Sequence, residues 1–159
     1  MTTAVHAIEG SGIGRLLRES LWAYPIVETI HIVGLATIFG SVLIVDLRLL
    51  GLSRGVSAAR LARHALPWTA GAFAVVMLTG LLMFTAHATD FLGNRVFALK
   101  MGLILAAGVN AAVLHTGAFR TVAAWDTGAL PPAPVRAAAA VSIVLWIAVI
   151  ACGRLLAYT

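Results

Sequence analysis

The chain has 159 residues, of which 61% are hydrophobic and only 11% are charged, and its mean hydropathy is +1.00. A soluble domain carries roughly 25% charged residues, so this composition excludes a soluble enzyme, a disordered protein and a disulfide-stapled secreted module. It indicates an integral membrane protein that contacts the lipid bilayer. The net charge of +5 indicates contacts with anionic lipid headgroups rather than with nucleic acid.

Four apolar stretches are each long enough to cross a bilayer as a helix, which takes about 20 residues. A short amphipathic segment precedes them at residues 12–20, where Arg15 and Arg18 flank two leucines, and we expect an interfacial helix there. The spans are expected at about residues 22–50, 66–85, 96–118 and 135–156. In lipid only helices and closed barrels satisfy the backbone, and alternating barrel strands are absent. The sequence therefore predicts an all-α membrane protein with one four-transmembrane-helix bundle.

Arginines in the connecting segments predict the orientation of the chain. We call the membrane side next to the N-terminus side A and the opposite side side B. The side-B segments hold the larger group of arginines, namely Arg48, Arg54, Arg60, Arg63, Arg120 and Arg136. The positive-inside rule then places both termini outside the inner (plasma) membrane of a bacterial-type cell. The small size of the bundle also favours a homo-oligomer.

Ionisable residues occur inside the predicted spans near side A. Glu28 and His31 are three residues apart in the first helix and share a face, and they lie about 9 Å and about 14 Å below Trp22. Lys100 lies about 9 Å inside the third helix, and His87 follows the second span. Such residues are costly in a membrane unless they are paired, and they mark functional sites. We expect Glu28 and Lys100 to form a buried ion pair or a catalytic pair that relays protons beside His31.

A second polar group lies near side B. Asp46 and Arg48 end the first span and are expected to pair with each other at the interface, while Asn110 and His115 lie in the third span. His64 precedes the second span and is expected to face either the headgroups or a cofactor. The bundle thus carries histidines at two depths.

Histidines on facing helices hold b-type haem in membrane bundles, which makes His31, His87, His115 and His64 candidate cofactor ligands. We expect His31 as one axial ligand, with His87 or His115 opposite. His64 and His87 are about 35 Å and about 140° apart on one helix, which favours one haem over two. No Cys-x-x-Cys-His motif is present, so covalent haem attachment is excluded. His31, His87 and His115 are also the candidate ligands of a metal such as copper.

Several motifs resemble a bacterial four-helix membrane family of unknown function. They are Pro25-x-x-Glu28-x-x-His31, Asp46-Leu-Arg48-Leu-Leu-Gly51, Pro67-Trp68, Thr79-Gly80, Phe97-x-x-Lys100 and Asn110. More distantly, the chain is similar to the four-helix haem-binding protoporphyrinogen oxidases and to the copper-resistance D membrane family. In that resemblance His31 matches the histidine of their first helix and Lys100 the lysine of their third. Glu28 has no counterpart there, so their reactions are not carried over.

Three functions are compatible with these residues. The expected one is a b-type haem protein that transfers electrons within or across the membrane, with quinol as a donor and with Glu28 and Lys100 setting the local charge. As an enzyme, it would be a haem-dependent membrane oxidoreductase. The alternatives are a copper or small-solute permease-like protein, in which the polar residues line a path, and a structural subunit without a cofactor.

Overall fold

The computed structural model describes residues 2–158, with side chains from residue 5 onward. In chain order the helices are α1 (Thr2–Glu9), α2 (Gly12–Glu19), α3 (Ala23–Leu49), α4 (Ala58–Ala86), α5 (Ala88–Gly93), α6 (Arg95–Thr116), a 3₁₀ helix (Ala118–Ala124) and α7 (Ala133–Leu155). The structure is 82% helical, and the described residues contain no strand. Helices α3, α4, α6 and α7 are long and apolar enough to cross a membrane. The predicted four-helix membrane bundle with an interfacial N-terminal helix is confirmed.

The four long helices pack as an arc in the order α4, α3, α7, α6. Contacts join α3 to α4, α3 to α7 and α6 to α7. Throughout the described part of the chain, the Cα atoms of α6 stay more than 8 Å from those of α3 and of α4. The approach of α3 to α4 depends on Gly34, where an added Cβ would lie 2.6 Å from Cγ2 of Val76. Small residues of this kind allow close packing between membrane helices.

The outer faces of these helices are apolar. Large hydrophobic side chains such as Leu78, Leu105 and Val144 are exposed at mid-span. In water an apolar surface of this extent would cause association, whereas in a bilayer the lipid tails cover it. This exposure is the structural counterpart of the high mean hydropathy.

The N-terminal helices dock on the side-A end of α4. The Arg18 guanidinium donates to the carbonyl oxygens of Ala86 at 2.9 Å and Glu9 at 2.5 Å, and the Glu9 carboxylate accepts from the backbone N–H of Thr89 at 2.8 Å. The hydrogen bond from Thr89 holds the pKa of Glu9 below its usual value. The interfacial helix is thus fixed to the bundle by hydrogen bonds as well as by its contact with lipid.

Helix α4 begins at Ala58, about two turns before the apolar stretch that marks the second span. Its N-terminus is capped by the hydroxyl of Ser57, which accepts from the N–H of Arg60 at 3.1 Å. In these two turns the inner face is made of small buried residues and the outer face is charged. The mean hydropathy of the segment is therefore low, although the segment is helical. The inner face consists of Ala58, Ala62 and Ala65. Pro67, which we expected near the start of the span, therefore lies inside the helix.

Candidate functional site

His31 contacts α4 across the α3–α4 interface. Its Nδ1 lies 2.9 Å from the hydroxyl of Thr79, and that hydroxyl also lies 2.8 Å from the backbone carbonyl of Val75. The threonine hydroxyl has one proton, and when it donates that proton to the carbonyl it accepts from Nδ1–H of His31. A neutral imidazole with its proton on Nδ1 keeps the lone pair of Nε2 available. The contact with Thr79 therefore orients the His31 ring.

Gly80 and Lys100 complete the surroundings of His31. A Cβ added at Gly80 would lie 3.3 Å from Cε1 of His31, so the glycine makes room for the ring. Lys100 is half-buried on α6, where its ammonium lies 3.5 Å from the Cβ position of Gly153 on α7. By the helical rise, Lys100 lies at a depth similar to that of His31. We call His31, Thr79 and Lys100 the His31 centre; by the helical rise, its members lie about 8–12 Å inside the bundle from side A.

Glu28 does not take part in this centre. Its side chain is exposed on α3, and among residues 5–158 no ion pair joins it to Lys100. The physical reason is the arc of helices: α3 and α6 are not neighbours, and Lys100 lies against α7 instead. The buried Glu28–Lys100 pair that similar depth suggested is therefore not formed.

The other histidines lie at different depths. The His87 ring packs edge-to-face on Tyr24, with ring centroids 5.5 Å apart, and its Nδ1 lies 3.4 Å from Asp90. Because Tyr24 precedes His31 by seven residues on α3, His87 lies about 10 Å closer to side A than His31. His115, whose ring centroid is 5.1 Å from that of Phe119, is about 20 Å nearer to side B.

These positions limit the ligand sets that the histidines can form. Two axial ligands of one iron are separated by two metal–nitrogen bonds of about 2 Å each, and the structure brings neither His87 nor His115 to the level of His31. His64 is exposed on the first turns of α4, which lie much closer to side B than His31 does. Across the described side chains, no three His, Cys, Asp or Glu residues lie together as a metal site. The described histidines therefore do not form a bis-histidine site, and His31 is left as the one candidate ligand at its depth among them.

Arg48 serves as a clamp rather than as the partner of Asp46. Its side chain is 2% exposed, and it donates from Nε to the carbonyl of Val56 at 2.6 Å and from Nη2 to the carbonyl of Asp126 at 2.8 Å. These bonds tie the end of α3 to both side-B loops. Within the described residues Arg48 forms no ion pair with Asp46. The interfacial pair expected from the sequence is therefore absent.

Asp126 binds the N-terminus of α4. Its carboxylate accepts from the backbone N–H of Ala59 at 2.8 Å and from the hydroxyl of Ser57 at 2.7 Å. Both hydrogen bonds hold the pKa of Asp126 below its usual value, and the one from Ala59 has the larger effect. An anion at a helix N-terminus is also favoured by the helix dipole.

Residues 13–159 match DUF6644, a family of unknown function. The chain belongs to this family. The match includes all four membrane helices, and it agrees with the bacterial membrane family of unknown function that the sequence motifs resemble. No curated protein and no solved structure matches the chain, so the more distant resemblances to haem-binding and copper-resistance families stay predictions.

The DUF6644 chain also contains functional candidates that the sequence analysis did not single out. Thr79 is part of a motif, but its role depends on the packing of α4 beside His31. Ser142, which lines a cleft together with Asp46, carried no signal in the sequence. A hydroxyl residue inside a span is common because it can bond to its own helix backbone. Only the packing of the helices distinguishes those that orient an ionisable group.

Proposed function

We propose that this DUF6644 protein is a membrane haem protein in which Nε2 of His31 binds a b-type haem and electrons pass within the bilayer. The observation that carries the proposal is the hydrogen bond from His31 to Thr79. A histidine that binds a metal almost always donates its other ring N–H to a protein acceptor, which fixes the tautomer and raises the basicity of the ligand. The His31–Thr79 pair has this form inside a membrane span, where an ionisable residue is costly without a function.

The residues of the centre have separate parts in this function. The haem supplies a group that accepts and releases one electron. His31 would hold it as the single imidazole ligand, and Thr79 holds His31 in position. Lys100 places a positive charge near His31 in a medium of low dielectric constant, where the charge favours the arrival of an electron. The copper alternative has less support, because it needs several ligands and the described residues contain no such group.

An absorbance spectrum tests the proposal directly. The protein is purified from cells that make haem, and spectra are recorded after oxidation in air and after reduction with dithionite. We expect a Soret band with about one haem per chain, and we expect His31→Ala to remove it or change it strongly. His64→Ala is the matched control because His64 is exposed on α4, and it should leave the spectrum unchanged. A folded, colourless wild type with sub-stoichiometric iron would overturn the proposal.

Thr79 provides a second test. Thr79→Val keeps the size of the side chain but removes the acceptor of His31 Nδ1–H, and loss of such a partner typically weakens metal binding by about 10–100-fold. Thr85→Val is the control, since the Thr85 hydroxyl bonds to its own helix at the carbonyl of Leu82. Equal haem occupancy in both variants would contradict the role given to Thr79.

Lys100 is tested by the midpoint potential of the bound haem. Lys100→Met removes the positive charge and should lower the potential, whereas Arg95→Met, at the exposed start of the same helix, should change it much less. Glu28→Gln should leave the potential close to that of the wild type because the Glu28 side chain is exposed and forms no ion pair with Lys100 among the described residues. A larger shift for Glu28→Gln than for Lys100→Met would refute this assignment.

We also propose that both termini lie outside an inner (plasma) membrane of bacterial type. The clamp formed by Arg48 removes one arginine from the surface of side B, but the others remain exposed there: Arg54, Arg60, Arg63, Arg120 and Arg136. A reporter that is active only outside the cytoplasm, fused to the C-terminus, should be active. An inactive reporter, with an active one in the α6–α7 loop, would reverse the orientation.

A further inference from the structure

A cleft separates α4 from α6 on the side-B half of the bundle. Its volume is about 230 Å³, and α3 and α7 form its floor because the described Cα atoms of α4 and α6 stay more than 8 Å apart. Near side A the same two helices meet through the stacked rings of Phe84 and Phe97. Phe73 on α4 and Gly108 on α6 line the cleft, and both are exposed at mid-span. The cleft therefore opens sideways, toward the hydrocarbon core of the bilayer.

The floor of the cleft contains the buried carboxyl group of Asp46, one oxygen of which has no hydrogen-bond partner among the described residues. Asp46 is 4% exposed and lines the cleft together with Ser142 on α7. Its Oδ2 atom has no hydrogen-bond partner among the described residues. Nearly all buried polar atoms in proteins are hydrogen-bonded, and an exception calls for an explanation. Because Arg48 binds the loops instead, no cation among the described residues forms an ion pair with Asp46.

The walls of the cleft suit an aromatic ring. Phe73, Phe119 and Trp146 all line it, and aromatic groups pack favourably against one another edge-to-face or offset-stacked. Mostly apolar walls with a few placed polar groups are typical of small-molecule sites. The volume lies below the roughly 300–1,000 Å³ of pockets that enclose a whole drug-sized ligand. The cleft therefore has room for one ring, and the rest of a larger ligand would extend into the lipid.

We propose that this cleft binds the head group of a membrane-soluble hydroquinone or phenol, whose ring hydroxyl donates a hydrogen bond to Oδ2 of Asp46. The hydroxyl satisfies the bare acceptor, and the ring contacts the aromatic walls. A ligand that enters from the bilayer core must be soluble in hydrocarbon, which favours a neutral donor over a permanent cation. A metal ion is disfavoured because the described residues offer no group of three ligands. The site is separate from the His31 centre and does not depend on a haem.

Decylhydroquinone and its dimethyl ether are the matched probes. The protein is placed in nanodiscs of phosphatidylcholine, and binding is measured by titration calorimetry under argon with a reductant. Satisfying a buried acceptor that is otherwise unpaired corresponds to about 5–100-fold in affinity, so the hydroquinone should bind that much more tightly than the ether. Asp46→Leu should lower the affinity for the hydroquinone by the same factor and leave the affinity for the ether unchanged. His31→Ala should not affect either probe, which separates this result from the fate of the haem proposal.

Two glycines of α6 give a matched steric control. A Cβ at Gly108 or at Gly102 meets no atom within 4 Å, but only Gly108 lines the cleft. Gly108→Leu should therefore abolish binding of both probes, while Gly102→Leu should preserve it. Because both substitutions add a side chain in open space on the same helix, they keep the test valid even if Asp46→Leu folds poorly.

Three results would overturn the proposal. The first is equal affinity for the hydroquinone and the ether, which would make the cleft a lipid-filled gap. The second is an unchanged preference for the hydroquinone in Asp46→Leu. The third is tight binding of decylammonium that is lost in Asp46→Leu, together with no binding of the hydroquinone. That result would make Asp46 a site for cations.

Discussion

Replacing Arg48 by methionine should destabilise the protein strongly, because the clamp holds three segments together. Arg48 makes two short hydrogen bonds, to the carbonyls of Val56 and Asp126, and each bond from a charged donor is worth about 1.5–3 kcal/mol. A third contact, at 3.4 Å to the carbonyl of Arg54, is too long to count. The Nη1 atom of Arg48 is buried without a partner within the described residues, so removing it recovers about 1–3 kcal/mol. The expected net loss is about 2–3 kcal/mol.

Unfolding by sodium dodecyl sulfate in mixed micelles measures this loss as a difference in the free energy of unfolding. Arg54→Met is the control, since Arg54 is exposed in the loop that Arg48 binds, and surface substitutions usually stay within about 0.5 kcal/mol. Arg48→Lys keeps the charge but not the fork of donors, and it should fall between Arg48→Met and the wild type. If Arg48→Met were as stable as Arg54→Met, the clamp would not hold the side-B loops and the reasoning would be refuted.

Two further predictions concern helix packing and pH. Gly34→Ala should lower the free energy of unfolding by about 1–3 kcal/mol, as overpacking does, because its Cβ would lie 2.6 Å from the stiff side chain of Val76. Gly40→Ala is the control. Its Cβ meets no atom within 4 Å, so it should be neutral or slightly stabilising in the same unfolding assay. The lowered pKa of Asp126 means that its contribution to stability is complete above its ordinary pKa of 3.8 and is lost as the pH falls toward the lower folded-state pKa. Unfolding measured between about pH 5 and about pH 2 should therefore show an acid-induced loss that is reduced in Asp126→Asn, and an identical loss in both proteins would contradict the assignment.

The sequence predicted the architecture well because the hydrocarbon core of a bilayer restricts the backbone conformation of each span to a helix. A segment of about 20 apolar residues must satisfy its own backbone, and a helix does so. The span ends agree with the helix ends within a few residues, except at the start of α4. There the cap by Ser57 and Asp126 extends the helix beyond the apolar stretch, and Asp126 is about 70 residues away in the chain, which no local pattern shows.

The candidate sites were predicted only in part. Depth along a helix follows from residue number, so the polar levels near Glu28, His31 and Lys100 were readable from the sequence. Contact between them was not, because it depends on which helices are neighbours. The haem itself stays a prediction until its spectrum is measured.

The sequence by itself determined that this is a multi-pass membrane protein and which residues lie inside the bilayer, since hydropathy and length depend on composition alone. Only the tertiary structure decided that His31 contacts Thr79 rather than another histidine, that Lys100 lies against α7, and that Asp46 faces a cleft. The physical reason is that apolar helices gain nothing from the hydrophobic effect by choosing one neighbour over another in lipid. Their arrangement follows from shape at positions such as Gly34, and a single sequence does not reveal which surface will fit against it.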